Sequence, residues 1–315
     1  NVVVLATSYD EVGIDIEYKR KLSDEVKKRL FENEKIKGKI EIIKVSADDN
    51  KLTGEKAGTK LDGAVFNIYN ESDEIVDVIT IKEGIGTSKL LEKGKYFIQE
   101  ETSGSDNYLL NTEKYPIEIT EHLKTIPITI KNNSVDIGLD IDKNGVVQAQ
   151  PNDEIKYGFN SLKNTSNVSL DNFTWTDNLP YDYVRITKLF TGTYNEDLDY
   201  IVKYKTNKSE DYIEFGKYNT QKNNYIDFTS VSLEDDEFIT DFKVEFGTVK
   251  AGFEAIEKPF IFTKVLPTVQ PEDKWTNYTT LTGDYKEHHL EDKAEWTTTS
   301  YGKKLEITKL PRTGF

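Results

Sequence analysis

Three residues in the first half of the chain carry complementary chemistry at matching places in their strands. In an extended strand, residues i, i+2 and i+4 share one face. Ile40 and Ile42 are followed in that phase by Lys44, Tyr96 and Ile98 by Glu100, and Ile126, Ile128 and Ile130 by Asn132. An amine, a carboxyl and a carboxamide thus each end an otherwise apolar face, and a buried amine or carboxyl is costly unless paired. Burial lowers a lysine pKa and raises a glutamate pKa, so a neutral amine and a protonated acid can coexist. Such an amine could attack the side-chain carbonyl of Asn132 while Glu100 hydrogen-bonds that oxygen and moves protons. Ammonia would leave and an amide crosslink would remain, with proximity in a folded core supplying most of the acceleration. Alternatively each residue ends its strand at a sheet rim and faces water. Three such residues with matching chemistry favour the crosslink.

The second half repeats the pattern. Val135, Ile137, Leu139 and Ile141 are followed in phase by Lys143; Phe173 and Trp175 by Asp177, just before Leu179-Pro180; and Asn277 lies in phase with Trp275. A calcium loop competes for the same segment, because Asp140, Asp142, Asn144 and Gly145 match positions 1, 3, 5 and 6 of an EF-hand loop. The closing bidentate Glu is replaced by Pro151 and no helix pattern flanks the segment, so an EF-hand is rejected. His288-His289, beside Glu287, Glu291 and Asp292, reads as a solvated acidic turn, since the remaining histidine is the distant His122. No metal site and no cofactor are assigned.

The elements that must hold these residues read as strands: period-two alternation bounded by Gly, Asn, Asp and Pro, as in Ile155/Tyr157/Phe159, Leu198/Tyr200/Val202/Tyr204 and Phe242/Val244/Phe246. Many short strands with regular turn signals predict an all-β chain of tandem β-sandwiches. Helix signals are few; Ser23 with Asp24-Glu25 could cap a short helix carrying Val26 and Leu30. Polar hinges at 33–38 and 131–134 divide the chain into a remnant of a preceding module (1–36), a compact sandwich (37–133), a larger sandwich (134–308) and a short tail (309–315). Two domains suit 315 residues.

The net charge of −15 argues against nucleic acid, which needs a basic face. There is no apolar run of membrane-spanning length. With no cysteine, neither disulfides nor a thiol nucleophile are available. The chain opens at Asn1 and holds no methionine, so an upstream region is expected to be missing. Among 56 acidic residues any chosen pair is meaningless as a glycosidase signature, and an enzyme with turnover is not expected.

The segment Lys44-Val45-Ser46-Ala47-Asp48-Asp49-Asn50, then Thr53-Gly54 and Leu61-Asp62-Gly63-Ala64-Val65-Phe66, resembles the opening of a collagen-adhesin B-type (SpaA-type) repeat. Gly94-Lys95-Tyr96-Phe97-Ile98-Gln99-Glu100 followed by Tyr108 resembles the family's E-box, and Ile128-Thr129-Ile130-Lys131-Asn132 its closing strand. The resemblance covers about 38–133. It implies an Ig-like or prealbumin-like sandwich in which Lys44 and Asn132 form an autocatalytic isopeptide assisted by Glu100. Many members carry a proline between the positions of Glu100 and Tyr108, which this sequence lacks; the proline shapes a loop. Trp175-Thr176-Asp177-Asn178-Leu179-Pro180 resembles the acidic strand end of A-type collagen-adhesin domains, which implies a second trio: Lys143, Asp177 and Asn277.

Leu310-Pro311-Arg312-Thr313-Gly314 resembles the LPxTG sorting signal of Gram-positive surface proteins, which implies cleavage after Thr313 by a sortase and transfer to peptidoglycan or to another pilin subunit. Together the resemblances imply an extracellular, wall-anchored stalk, adhesin or pilin-like protein with internal isopeptides in place of disulfides. Its crosslinking is a single self-processing event. The competing reading is a ligand-binding module in 134–308 for a host matrix protein or glycan. Lys114-Tyr115-Pro116-Ile117 has the wrong order for a donor-lysine motif, which favours a monomeric anchored protein or a basal subunit over a pilus backbone.

Overall fold

The computed structural model describes residues 36–301. The helix expected after Ser23 and the sorting signal Leu310–Gly314 lie outside the described residues. The chain divides between Ser134 and Val135 into two compact units. Both are built from strands, and among the described residues the helical segment is one 3-10 turn, Phe228–Ser230.

The first unit holds β1 (Lys37–Ser46), β2 (Val65–Asn70), β3 (Ile75–Thr80), β4 (Ile85–Thr87), β5 (Leu91–Glu92), β6 (Gly94–Thr102), β7 (Lys114–Ile119) and β8 (Thr125–Asn132). One sheet runs β3-β2-β6-β7. The other is built around β1, which pairs antiparallel with β4 and β5 and parallel with β8. Alternation sends Ile40 and Ile42 of β1, Phe66 and Ile68 of β2, Ile98 of β6 and Ile130 of β8 into one core. Each such side chain contributes about 1.5–3 kcal/mol when fully buried. The parallel pairing of first and last strands is what matters for the site. It sets Lys44 opposite Ile130 and Ser46 opposite Asn132, so the inward residues of the two strands ends meet.

The second unit holds β9 (Leu139–Gly145), β10 (Gln148–Ala149), β11 (Glu154–Asn164), β12 (Leu170–Asn178), β13 (Val184–Phe190), β14 (Thr193–Tyr194), β15 (Asp199–Thr206), β16 (Ile213–Asn219), β17 (Tyr225–Asp227), β18 (Ile239–Val249), β19 (Ala255–Glu257), β20 (Phe260–Val265), β21 (Lys274–Tyr285) and β22 (His288–Ser300). A five-stranded sheet, β17-β13-β20-β11-β9, faces a seven-stranded sheet, β10-β22-β21-β12-β18-β15-β16, and β14 pairs with β19. The core between them is aromatic: Trp175 meets Phe159 edge-on at 4.4 Å between centroids and Phe242 at 5.2 Å. The indole N–H of Trp175 is satisfied by Thr279 Oγ1 at 2.9 Å.

One expected strand starts late. Val135 to Gly138 continue the alternation that leads to Lys143, yet pairing begins at Leu139. The backbone N–H groups of Asp136 and Gly138 donate instead to the side chains of Asn167 and Ser166. Side-chain acceptors thus take the N–H half of the ladder there, while the carbonyls of Asp136 and Gly138 still accept from the backbone N–H groups of Asn167 and Thr165. Asp140, Asp142 and Asn144 lie along β9 itself, an extended strand rather than a loop, and Asp140 and Asp142 accept from Ser161 and Asn160 on β11. His288 and His289 open β22, where the His289 ring contacts Asp284 at 2.6 Å. Among the described residues no group of three His, Cys, Asp or Glu side chains is arranged to hold a metal.

Candidate functional sites: two buried lysine, carboxyl and asparagine clusters

Lys44, Glu100 and Asn132 come together inside the first unit. They are 0%, 4% and 1% exposed, which separates a buried cluster from three rim residues facing water. Lys44 and Asn132 come from the adjacent parallel strands β1 and β8, and Glu100 reaches across from β6 of the facing sheet. The Lys44 amine donates to Asn132 Oδ1. The same amine lies 2.9 Å from Glu100 Oε1. The Asn132 amide nitrogen donates to Glu100 Oε1 at 3.1 Å and Oε2 at 2.9 Å.

This differs in one respect from the sequence-based expectation. Glu100 faces the nitrogen of the Asn132 amide, not its oxygen, because the lysine already occupies the oxygen side. The carboxyl therefore bridges the nitrogen that would attack and the nitrogen that would leave. It can take a proton from the first and give one to the second. Burial pushes the Lys44 amine below its ordinary 10.5, opposed by the hydrogen bond and charge of Glu100. The Phe66 ring, 5.3 Å from the amine, adds an apolar wall.

Two loops close this site. After Glu100, Gly104 adopts φ +78, and a Cβ there would lie 2.3 Å from the Gly63 carbonyl carbon, so glycine permits the 61–64 and 103–105 backbones to touch. Further on, the Asn111 backbone N–H donates to Glu100 Oε2 at 2.8 Å. Tyr108, 5% exposed, donates its hydroxyl to Glu55 at 2.7 Å and fixes the loop after β1.

In the second unit Lys143, Asp177 and Asn277 are 4%, 0% and 0% exposed. Lys143 projects from β9 of the five-stranded sheet, and its amine donates to Asp177 Oδ2 on β12 of the facing sheet. Asn277 lies on β21, which pairs with β12 so that Asp177 stands opposite Thr279, two residues along the same inward face. Burial drives the Lys143 amine down, against the charge and hydrogen bond of Asp177. It drives the Asp177 carboxyl up, against Lys143 first and then Asn277 and Thr279. Both groups are thereby biased towards their neutral forms. Asn277 lies near enough to favour the charged carboxylate, yet neither its amide nitrogen nor its oxygen makes a hydrogen bond of good geometry, and Asp177 Oδ1 is also unsatisfied. The rings of Phe159 and Tyr157 flank the lysine at 4.8 and 5.5 Å.

Sequence reasoning missed Asn111, which meets Glu100 through its backbone N–H, and Thr279, which continues the phase of Trp275 and Asn277 and could have been found by it. The two trios also differ in geometry. In the first unit lysine and asparagine share a sheet, whereas in the second they stand on opposite sheets.

Residues 38–134 match the family described as SpaA, prealbumin-like fold domain. The trypsin-resistant surface T6 protein of Streptococcus pyogenes serotype M6 (strain ATCC BAA-946 / MGAS10394) is 34% identical over 134 residues. That stretch is 42% of this chain and 23% of the streptococcal protein, so the similarity spans about a quarter of the relative's length. Among solved structures, BcpA, the major pilin subunit of Bacillus cereus, aligns at 15% identity over 84% of this chain and 69% of its own, with a TM-score of 0.30. A streptococcal ancillary pilin aligns at 12% identity over 86% and 64%, with a TM-score of 0.25.

Proposed function

We propose that this chain is a pilin-like stalk segment of a Gram-positive surface protein, stiffened by two self-formed amide crosslinks. The observation that carries the reading is the buried contact of Lys44, Glu100 and Asn132. The Lys44 nitrogen attacks Cγ of Asn132, the new C–N bond replaces the bond to Nδ2, and Glu100 relays a proton from the attacking to the departing nitrogen, which leaves as ammonia. The product amide also ends the cost of burying an ionisable amine.

The second crosslink joins Lys143 to Asn277, with Asp177 as relay. Three buried polar atoms without a hydrogen bond of good geometry, Asp177 Oδ1 and the amide nitrogen and oxygen of Asn277, support it, since each such group costs about 1–3 kcal/mol when left unsatisfied. Conversion of Lys143 and Asn277 to one amide supplies an N–H for Asp177. The SpaA-type match over 38–134 and a relative described as a trypsin-resistant surface protein agree with a crosslinked stalk outside the cell. In this reading a sortase joins Thr313 to peptidoglycan or to a neighbouring subunit.

The test is the intact mass of residues 1–315 made without sortase, against Lys44→Ala and Lys143→Ala. A deficit of two ammonia masses, one lost in each variant, is expected. A single deficit lost with Lys44 alone would reduce the second unit to an ordinary sandwich. No deficit would overturn the stalk chemistry and move the ligand-binding reading of 134–308 ahead.

A further inference from the structure

Relay of a proton between two nitrogens demands that the Glu100 carboxyl hold one orientation. Its Oε1 must stay between Lys44 and Asn132, while Oε2 also accepts from Asn132 Nδ2 at 2.9 Å, a contact that is lost once that nitrogen departs. That second oxygen receives the Asn111 backbone N–H at 2.8 Å. Asn111 comes from the connection between β6 and β7, eleven residues beyond Glu100, so the bond exists only if that connection is pinned down.

The Asn111 side chain does the pinning with every polar atom it has. Its nitrogen donates to the Tyr115 hydroxyl on β7 at 2.8 Å and to the carbonyl of Lys131 on β8 at 3.0 Å, the residue before Asn132. Its oxygen accepts from the Glu113 backbone N–H at 2.9 Å. One side chain thereby fixes the strand bearing Asn132 and the backbone group that orients Glu100. Two donors and one acceptor at this reach define a carboxamide on a single methylene. Aspartate lacks the donors, and alanine lacks all three groups.

We infer that Asn111 is a positioning residue for the Lys44–Asn132 crosslinking step, acting through the orientation of Glu100; this rests on the crosslinking reading above. The experiment follows ammonia loss by intact mass in the full 315-residue chain, made by cell-free translation and acid-quenched at timed intervals. Asn111→Ala and Asn111→Asp should slow bond formation by about 10²-fold, the effect of a misplaced reacting group. Tyr115→Phe, which removes one anchor of Asn111, should slow it less. In the uncrosslinkable Lys44→Met background, Asn111→Ala should keep its near-UV circular dichroism. In that same background the Asn111 amide proton should move upfield on Glu100→Gln, because its N–H donates to the Glu100 carboxyl. An unchanged rate in Asn111→Ala overturns the inference. So does a slowing accompanied by lost tertiary structure in the Lys44→Met background, which would assign Asn111 to stability. Absence of any ammonia loss from the unsubstituted chain would instead overturn the crosslink itself.

Discussion

Lys44→Met removes the proposed first crosslink while keeping the length and most of the volume of the side chain. The bond it deletes ties residues 88 apart in sequence. A chain-entropy treatment of a closed loop of that size, of the kind applied to disulfides, gives about 5 kcal/mol of stabilisation through the unfolded state. Compensating terms in the native core are small by comparison. The thioether fits the Phe66 wall, and Glu100 keeps the amides of Asn132 and Asn111 as donors. In a unit of this size each kcal/mol moves the melting temperature by about 4–8 °C, so the first unit should melt roughly 20–40 °C lower in Lys44→Met. Differential scanning calorimetry resolves the transitions of the two units, and intact mass confirms which bond each sample holds. If mass shows the ammonia deficit lost while no transition moves by more than about 5 °C, the crosslink exists but does not stabilise by loop closure.

Glu100→Gln removes the charge that opposes the lowering of the Lys44 amine by burial, so the folded unit releases that proton before the unfolded chain does at 10.5. The unfolded state then binds more protons through that window, and urea midpoints of the first unit should rise with pH relative to Lys44→Met/Glu100→Gln; equal slopes would refute this. Thr279→Val leaves the buried Trp175 indole N–H without its acceptor and should cost the second unit about 1–3 kcal/mol. A melting temperature of that unit equal to the unsubstituted chain would show that the bond contributes nothing.

The strands and the candidate residues were legible because one rule serves both. A period-two apolar face that ends in Lys44, Glu100 or Asn132 identifies a strand and marks a polar residue whose direction the core has already chosen. The same rule reached Lys143, Asp177 and Asn277, and it failed at Val135–Gly138, where Asn167 and Ser166 offer side-chain partners that no periodicity records. Pairing was less legible than direction. That β1 and β8 run parallel, so that Lys44 meets Asn132 within one sheet, depends on a register formed across most of the unit. Asn111 was invisible for a further reason: it touches Glu100 through a backbone N–H, a group every non-proline residue possesses, and its placement depends on three partners, in β7, in β8 and in the β6–β7 connection.

The different connectivities of the two proposed crosslinks give different responses to tension. Force entering at Lys37 runs along β1 to Lys44, crosses to Asn132 and leaves just before Val135, so residues 45–131 are bypassed and the first unit should not lengthen. In the second unit the bypass runs from Lys143 to Asn277 and leaves residues 278–301 under load. Those residues are the end of β21 and all of β22, an antiparallel hairpin with Asn277 opposite Trp296, so the pull acts at its open end and separates paired residues one after another. Twenty-four residues at about 3.4 Å each allow an extension of roughly 80 Å, after which the chain is covalently straight. Single-molecule stretching should therefore show one short, low-force lengthening per chain, and Lys143→Met should increase it several-fold as the rest of the second unit becomes extensible. A long unfolding event in the unsubstituted chain would refute the assignment of Asn277, because any crosslink that spares the unit from such an event must reach from β9 to a strand late in the sequence.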